Sequence, residues 1–196
     1  MGDATEDRRK AASLPEGDVV RVLLEQHARI RDLFAEVKSE SGEHKKHAFD
    51  ELRALLAVHE TAEEMVLRPV TSSADGGEGK HIADARNHEE SEANGVLKEL
   101  EGLDVASPEF DQKLAAFEKA VDAHAKAEET EEFPLVLSTC DEERRATMGK
   151  QVLAAEKVAP THPHPSSAGS TGAQYAVGPF ASLIDRTRDA ISGVTS

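Results

Sequence analysis

The stretch "HAKAEETEEFP" at positions 124–134 has an echo, "HETAEEMVLRP", at positions 59–69. Both read H-x-x-A-E-E-x-x-x-x-P, and in each the histidine is followed four residues later by a glutamate: His59 with Glu63, and His124 with Glu128. On a helix that spacing puts both side chains on one face, about one turn apart. An imidazole and a carboxylate so placed can reach a single ion together. The flanking residues supply the helix. Leu52, Leu55 and Leu56 lead into His59, Glu63 and Val66, while Phe110, Leu114, Phe117 and Val121 lead into His124 and Glu128. Both stripes advance by three and four residues, the period of a helix with a buried face.

Working outward, Val19, Leu23, His27, Ile30, Phe34 and Val37 form a similar stripe, apolar except for His27, with Asp18 placed to cap it. "SESGE" (39–43) breaks that helix, and Pro69 with "TSSADGGEGK" (71–80) is expected to end the next. A third helix is expected over about 80–101. Its polar face is traced by His81, Ala85, His88, Glu92, Gly95 and Glu99, with Val96, Leu97 and Leu100 alongside. Ser107 and Pro108 suit the start of a fourth helix, and Thr139 to Glu142 reads as the capping box of a fifth, running to about 158. Residues 1–17 read as a flexible lead-in, 159–179 as a Pro/Ser/Gly linker and 180–192 as a short amphipathic helix. Four helices of some 20 residues with short connections pack most simply as an all-α, antiparallel up-down-up-down bundle, here with an additional C-terminal helix and a partly irregular tail. The bundle is expected over 18–158, with its core in 18–135.

Composition agrees with that class. Aromatic residues make up only 4% of the 196, with no Trp, and the abundance of Ala, Glu and Lys favours helix over strand. A net charge of −15 repels phosphate backbones and anionic head groups, which argues against nucleic acid and membrane surfaces as partners. No apolar run is long enough to span a bilayer. Cys140 is the single cysteine and cannot form an intrachain disulfide, and "MGDATEDRRK" has no apolar segment of a secretory signal. A soluble cytoplasmic protein is expected.

Half one therefore carries a lone His27 and then His59 with Glu63; half two carries His88 and then His124 with Glu128. An internal two-fold is implied. Four histidines and two glutamates inside an apolar bundle would cost about 1–3 kcal/mol for each unsatisfied group, and metal coordination removes that cost. Imidazole and carboxylate together suit iron, manganese or zinc, and carboxylates from two helices can bridge a metal pair.

These residues, in this order and with a proline after the second and fourth helix, resemble the hemerythrin-like proteins with an HHE cation-binding domain. The resemblance covers roughly residues 18–135. It implies a four-helix bundle holding two non-haem iron ions. His27, His59, His88 and His124 would be terminal ligands and Glu63 and Glu128 would bridge. It further implies that a small ligand (oxygen, peroxide or nitric oxide) binds at an open iron position, in an oxygen, iron or oxidative-stress response and with catalase-like peroxide decomposition as one form. The departure is on helix three, where oxygen carriers have H-x-x-x-H and this chain has Asp84 four residues before His88. His81, Asp84 and Glu92 are the candidates for an extra ligand or for a residue that orients one. The alternative function is a cation sensor acting through a protein partner, with 180–192 as the docking segment.

Other features have plainer readings. Glu64 and Glu129 are expected at the surface or behind the ligands. Glu89, Glu90, Glu131 and Glu132 read as solvated faces, and His44, His47, His162 and His164 as exposed. Glu60 gives "HETAE" a faint likeness to a zinc-protease H-E-x-x-H, but the second histidine is absent. Phe34, Phe117 and Phe133 read as core, and Tyr175 falls in the linker.

Overall fold

The computed structural model describes residues 2–74, 77–157 and 186–191. Most of the described residues are helical, with no strand among them. The helices are α1 (Ala4–Ala11), α2 (Val19–Ser39), α3 (Gly42–Ala62), α4 (Arg68–Ser73), α5 (Glu78–Glu101), α6 (Pro108–Ala127), α7 (Phe133–Thr139) and α8 (Glu142–Glu156). α3 and α4 are one rod joined by a single π-helical turn, Glu63–Leu67. α6 and α7 are likewise joined by the π turn Glu128–Glu132. The two rods, α2 and α5 form the antiparallel bundle. α1 packs on α2, and α8 lies across α2 and α3.

Local chemistry sets the helix ends. The Asp18 carboxylate accepts from the Val20 N–H at 3.0 Å and the Ser107 hydroxyl accepts from the Phe110 N–H at 3.1 Å, satisfying donors that the first turn leaves open. The fifth helix of the sequence reading starts elsewhere than expected. Asp141 accepts from Arg144 N–H at 2.8 Å, while the Thr139 hydroxyl turns back to the Leu135 carbonyl. Pro69 does not end the second helix. It sits in the first turn of α4, directly after the π turn, as Pro134 does in α7. Proline cannot donate to the carbonyl four residues earlier and its ring crowds that carbonyl. The widened turn bonds Arg68 N–H to Glu63 O and Phe133 N–H to Glu128 O instead.

Residues 4–11 are a helix rather than a loose lead-in. Asp7 is buried against Arg31, and Lys10 reaches Glu129 at 2.6 Å. Of the C-terminal segment, 186–191 is helical, with Ile191 in the core and Arg188 paired to Glu64 at 3.0 Å. The linker 159–179 lies outside the described residues.

The core falls into two apolar clusters. One gathers Val20, Leu23, Val58, Leu67, Phe133 and Val136; the other gathers Ile30, Phe34, Leu52, Leu56, Leu97 and Phe117. On α2, His27 sits three residues after Leu24 of the first cluster and three before Ile30 of the second. His59 sits between Leu56 and Ala62 in the same way. A polar layer thus separates the two cores.

Candidate metal centre

Two groups of possible ligands converge in that layer. His27, His59, Glu63 and Glu128 form one; Glu63, Glu90, His124 and Glu128 form the other. In each, the ligand atoms lie within 4.8 Å of one another. Glu63 and Glu128 belong to both, and both are fully buried.

Each histidine is held from behind. The Nδ1–H of His59 donates to Gln26 Oε1 at 2.7 Å, that of His124 to Glu89 Oε2 at 2.8 Å, and that of His27 to Glu129 Oε1 at 3.2 Å. These acceptors orient each ring so that its Nε2 points inward, as in carboxylate–histidine–metal arrangements. The inward nitrogens meet carboxylates. His27 Nε2 is 3.2 Å from Glu128 Oε2, His124 Nε2 is 3.0 Å from Glu128 Oε1, and His59 Nε2 is 3.5 Å from Glu63 Oε2. The supports are themselves supported. Gln26 donates to Glu156 of α8 at 2.7 Å, and Glu129 is gripped by Lys10 of α1 and by Arg31.

The electrostatics are unbalanced. Glu60, Glu63, Glu90, Glu128 and Glu132 are all buried, and Arg68 meets the last four with one positive charge. Burial and the neighbouring Glu128 push Glu63 well above the usual carboxylate range, and burial with Glu90 raises Glu60 to about 8. Burial also raises Glu90 to about 7. Glu128 goes the other way, because His124, His27 and Arg68 outweigh its burial. Burial drives His59 well below the ordinary imidazole value. For His124 burial is outweighed by Glu128, Glu89 and Glu90, which raise it to about 9.

The sequence-predicted ligands divide accordingly. His27, His59, Glu63, His124 and Glu128 come together. His88 does not: its side chain is 75% exposed and pairs with Glu92 at 3.6 Å on the outer face of α5. His81, Asp84 and Glu92 are exposed as well, and Asp84 pairs with Lys80. The residue α5 sends inward is Glu90, expected at the surface but buried. Glu132, also expected in solvent, is buried and fully enclosed by Arg68 and Thr71. Glu129 lies behind His27, whereas Glu64 is exposed.

The donor set suits a metal. The buried atoms without a hydrogen-bond partner include His27 Nε2, His124 Nε2, Glu128 Oε2 and both oxygens of Glu63. A mixed imidazole and carboxylate set of this kind suits iron, manganese or zinc. Beside it opens a cavity of about 780 Å³, reached by His27, His59, Glu60 and Glu90 at one end and lined beyond by apolar side chains such as Ile30, Phe34 and Phe117.

The fold and the site together define a helical bundle with two His/Glu clusters that could hold a metal ion between its apolar cores. The Hemerythrin family, described as the HHE cation binding domain, matches residues 18–136, and the chain belongs to that family. An uncharacterized hemerythrin-like protein of Schizosaccharomyces pombe is 28% identical over 134 residues, which is 68% of this chain and 66% of that protein. The chain thus spans just under two thirds of that relative. The fold is also that of a crystal structure of a hemerythrin HHE cation binding domain-containing protein from Mycobacterium kansasii. The TM-score is 0.61 at 21% identity, covering 69% of this chain and 83% of the other. Among the described residues no helix is long and apolar enough to cross a membrane.

Proposed function

We propose that the centre holds two non-haem iron ions and that the protein binds or processes a small oxidant in an oxygen, iron or oxidative-stress response inside the cell. One observation carries this reading: unpartnered Nε2 atoms and carboxylate oxygens converge in two groups that share Glu63 and Glu128. His27 and His59 would hold one ion, His124 and Glu90 the other, and the two shared glutamates would bridge. Iron so bound supplies electrons to, or a coordination position for, oxygen, peroxide or nitric oxide.

The chain's own residues set the conditions. Gln26, Glu89 and Glu129 fix the imidazole orientations, and the two apolar clusters keep bulk water from the polar layer. The cavity gives a small ligand a route along α2 and α6 to the inward edge of His59 and Glu90. Glu60, raised to about 8 and with Oε2 unpartnered, can hold a proton at the end of that route.

The test is anaerobic iron reconstitution of the metal-free protein. Iron is counted per chain and the ultraviolet–visible spectrum is followed as oxygen, azide and peroxide are added. Two irons with bridging-ligand bands that shift with azide support the reading, and rapid peroxide loss would make the protein an enzyme. No bound iron sinks it; manganese or zinc at the same count would keep the centre and change the metal.

A second reading, a cation sensor acting through a protein partner, has one observation in its favour. Arg188, in the C-terminal helix 186–191, pairs with Glu64, the residue after the shared ligand Glu63. It predicts metal-dependent release of that segment, read by its proteolysis, with no turnover of peroxide.

A further inference from the structure

The two ligand groups differ in one respect that their composition conceals. The guanidinium of Arg68, itself 4% exposed, meets the two shared glutamates and also Glu90, the one carboxylate that only the second group contains. Its Nη2 is 2.8 Å from Glu128 Oε1, 3.6 Å from Glu63 Oε2, and hydrogen-bonded to Glu90. Those are the three carboxylates of the Glu63, Glu90, His124 and Glu128 group. Its Nη1 faces away from the group and donates to Glu132, whose other oxygen accepts from the Thr71 hydroxyl at 2.6 Å. His27 of the other group faces Glu128 Oε2 at 3.2 Å, not the Oε1 that Arg68 holds.

We propose that Arg68 is a tethered cation that competes for the second metal position, so that the two ions bind in sequence and unequally. This rests on the reading of the centre as a two-metal site. The first ion enters at His27, His59, Glu63 and Glu128, where two imidazoles face inward and Glu90 is not needed. The second must draw Glu90 and the Oε1 of Glu128 from the guanidinium, because a metal at about 2.0–2.2 Å competes for oxygens to which Nη2 now donates. A guanidinium bonded to Glu90 and Glu128 puts a like charge beside an ion at that position and weakens its binding. The geometry also supplies a retreat. Glu132 already holds Nη1, is not in either ligand group, and is anchored by Thr71.

Position 68 explains itself on this view. It is the first residue after the π turn, where Arg68 N–H bonds to Glu63 O, so the same widened turn that carries a shared ligand also delivers its competitor. The second half has Phe133 at the matching place, stacked on His27 with ring centroids 5.5 Å apart. The internal two-fold is broken at this pair of positions, and the break is where the two sites become unlike.

The test is anaerobic titration of the metal-free protein with ferrous ion, and with zinc as a redox-silent control, read by calorimetry and by native mass spectrometry. The wild type should show a one-ion species dominating at one equivalent and a second step at least tenfold weaker. Arg68→Met, which keeps the stem and deletes the charge, should bring the second affinity up tenfold or more and merge the steps. Arg68→Lys should keep them apart. Glu132→Gln, which removes the retreat without touching a ligand, should weaken the second step further and leave the first alone; it serves if Arg68→Met does not fold. Two equal steps in the wild type, or a second step weakened by Arg68→Met, would overturn the proposal while leaving the two-metal reading intact. No metal bound at all would overturn both.

Discussion

At the scale of single residues, Glu128 has the most to lose. It is fully buried, within 3.2 Å of inward-facing nitrogens on both sides of the layer, and common to both ligand groups. Glu128→Ala should therefore abolish tight binding of both ions, whereas His27→Ala and His124→Ala should each lose one; native mass spectrometry counts the ions directly. The side chains of α5 give a sharper contrast. Glu90→Gln should weaken one ion roughly tenfold or more, while His88→Ala should leave both affinities within about twofold, the usual span for an exposed residue away from a site. Loss of metal on His88→Ala would return the helix-three ligand to the residue that the family pattern suggests. The two positions were confused in the sequence for an identifiable reason. His88 lies on a stripe of polar residues that begins at His81, and reading the histidines as the buried face makes that stripe the core. The buried face of α5 is instead fixed by Leu97 and Leu100, which step back in threes and fours through Ala93 and Glu90 to Arg86 and Ala83. Apolar anchors, though only a few in that helix, carried the better signal.

At the scale of elements, helix positions were legible to within a residue or two wherever caps and apolar periodicity coincided, as at Asp18 and Ser107. The two π turns were not legible. The repeated proline reads as a stop in a local pattern, and only the packed rod shows that the helix absorbs it with one wide turn. α1 was missed because its holding force is long-range. Lys10 reaches Glu129, 119 residues away, and Asp7 bonds Arg31, which also faces Glu129; no periodicity within 1–17 announces these contacts. α8 depends on a close approach that a single atom can test. A Cβ at Gly149 would stand 1.9 Å from the Gly17 carbonyl oxygen, a backbone atom that cannot rotate aside. Gly149→Ala should therefore push α8 from the loop ahead of α2 and cost about 1–3 kcal/mol, as overpacking does. A drop in denaturation midpoint with unchanged denaturant dependence would show it.

At the scale of the whole molecule, pH and metal act on the same buried layer. Glu129 is held at about 2, although burial opposes this, because it bonds to His27 and Lys10 and faces Arg31; its ordinary value is 4.5. A carboxylate depressed on folding stabilises the protein above its unfolded value, and that stability is lost as pH falls from about 4.5 through about 2. Glu129→Gln should thus flatten the acid limb of the metal-free protein's stability, by on the order of 1–2 kcal/mol after allowance for solvent screening. Chemical denaturation between pH 6 and 3 measures it, and an unchanged limb would mean that the Glu129 contacts contribute nothing net. Metal works in the opposite sense, since the unfolded chain scatters the ligands that the two rods, α2 and α5 bring together. Free ion at one hundred times its Kd should raise the unfolding free energy by about 2.7 kcal/mol for each occupied site. The increment should vanish in Glu128→Ala, whose buried layer has lost a shared ligand, and survive in His88→Ala. Equal stabilisation of wild type and Glu128→Ala would mean that the ions bind somewhere other than between the two cores.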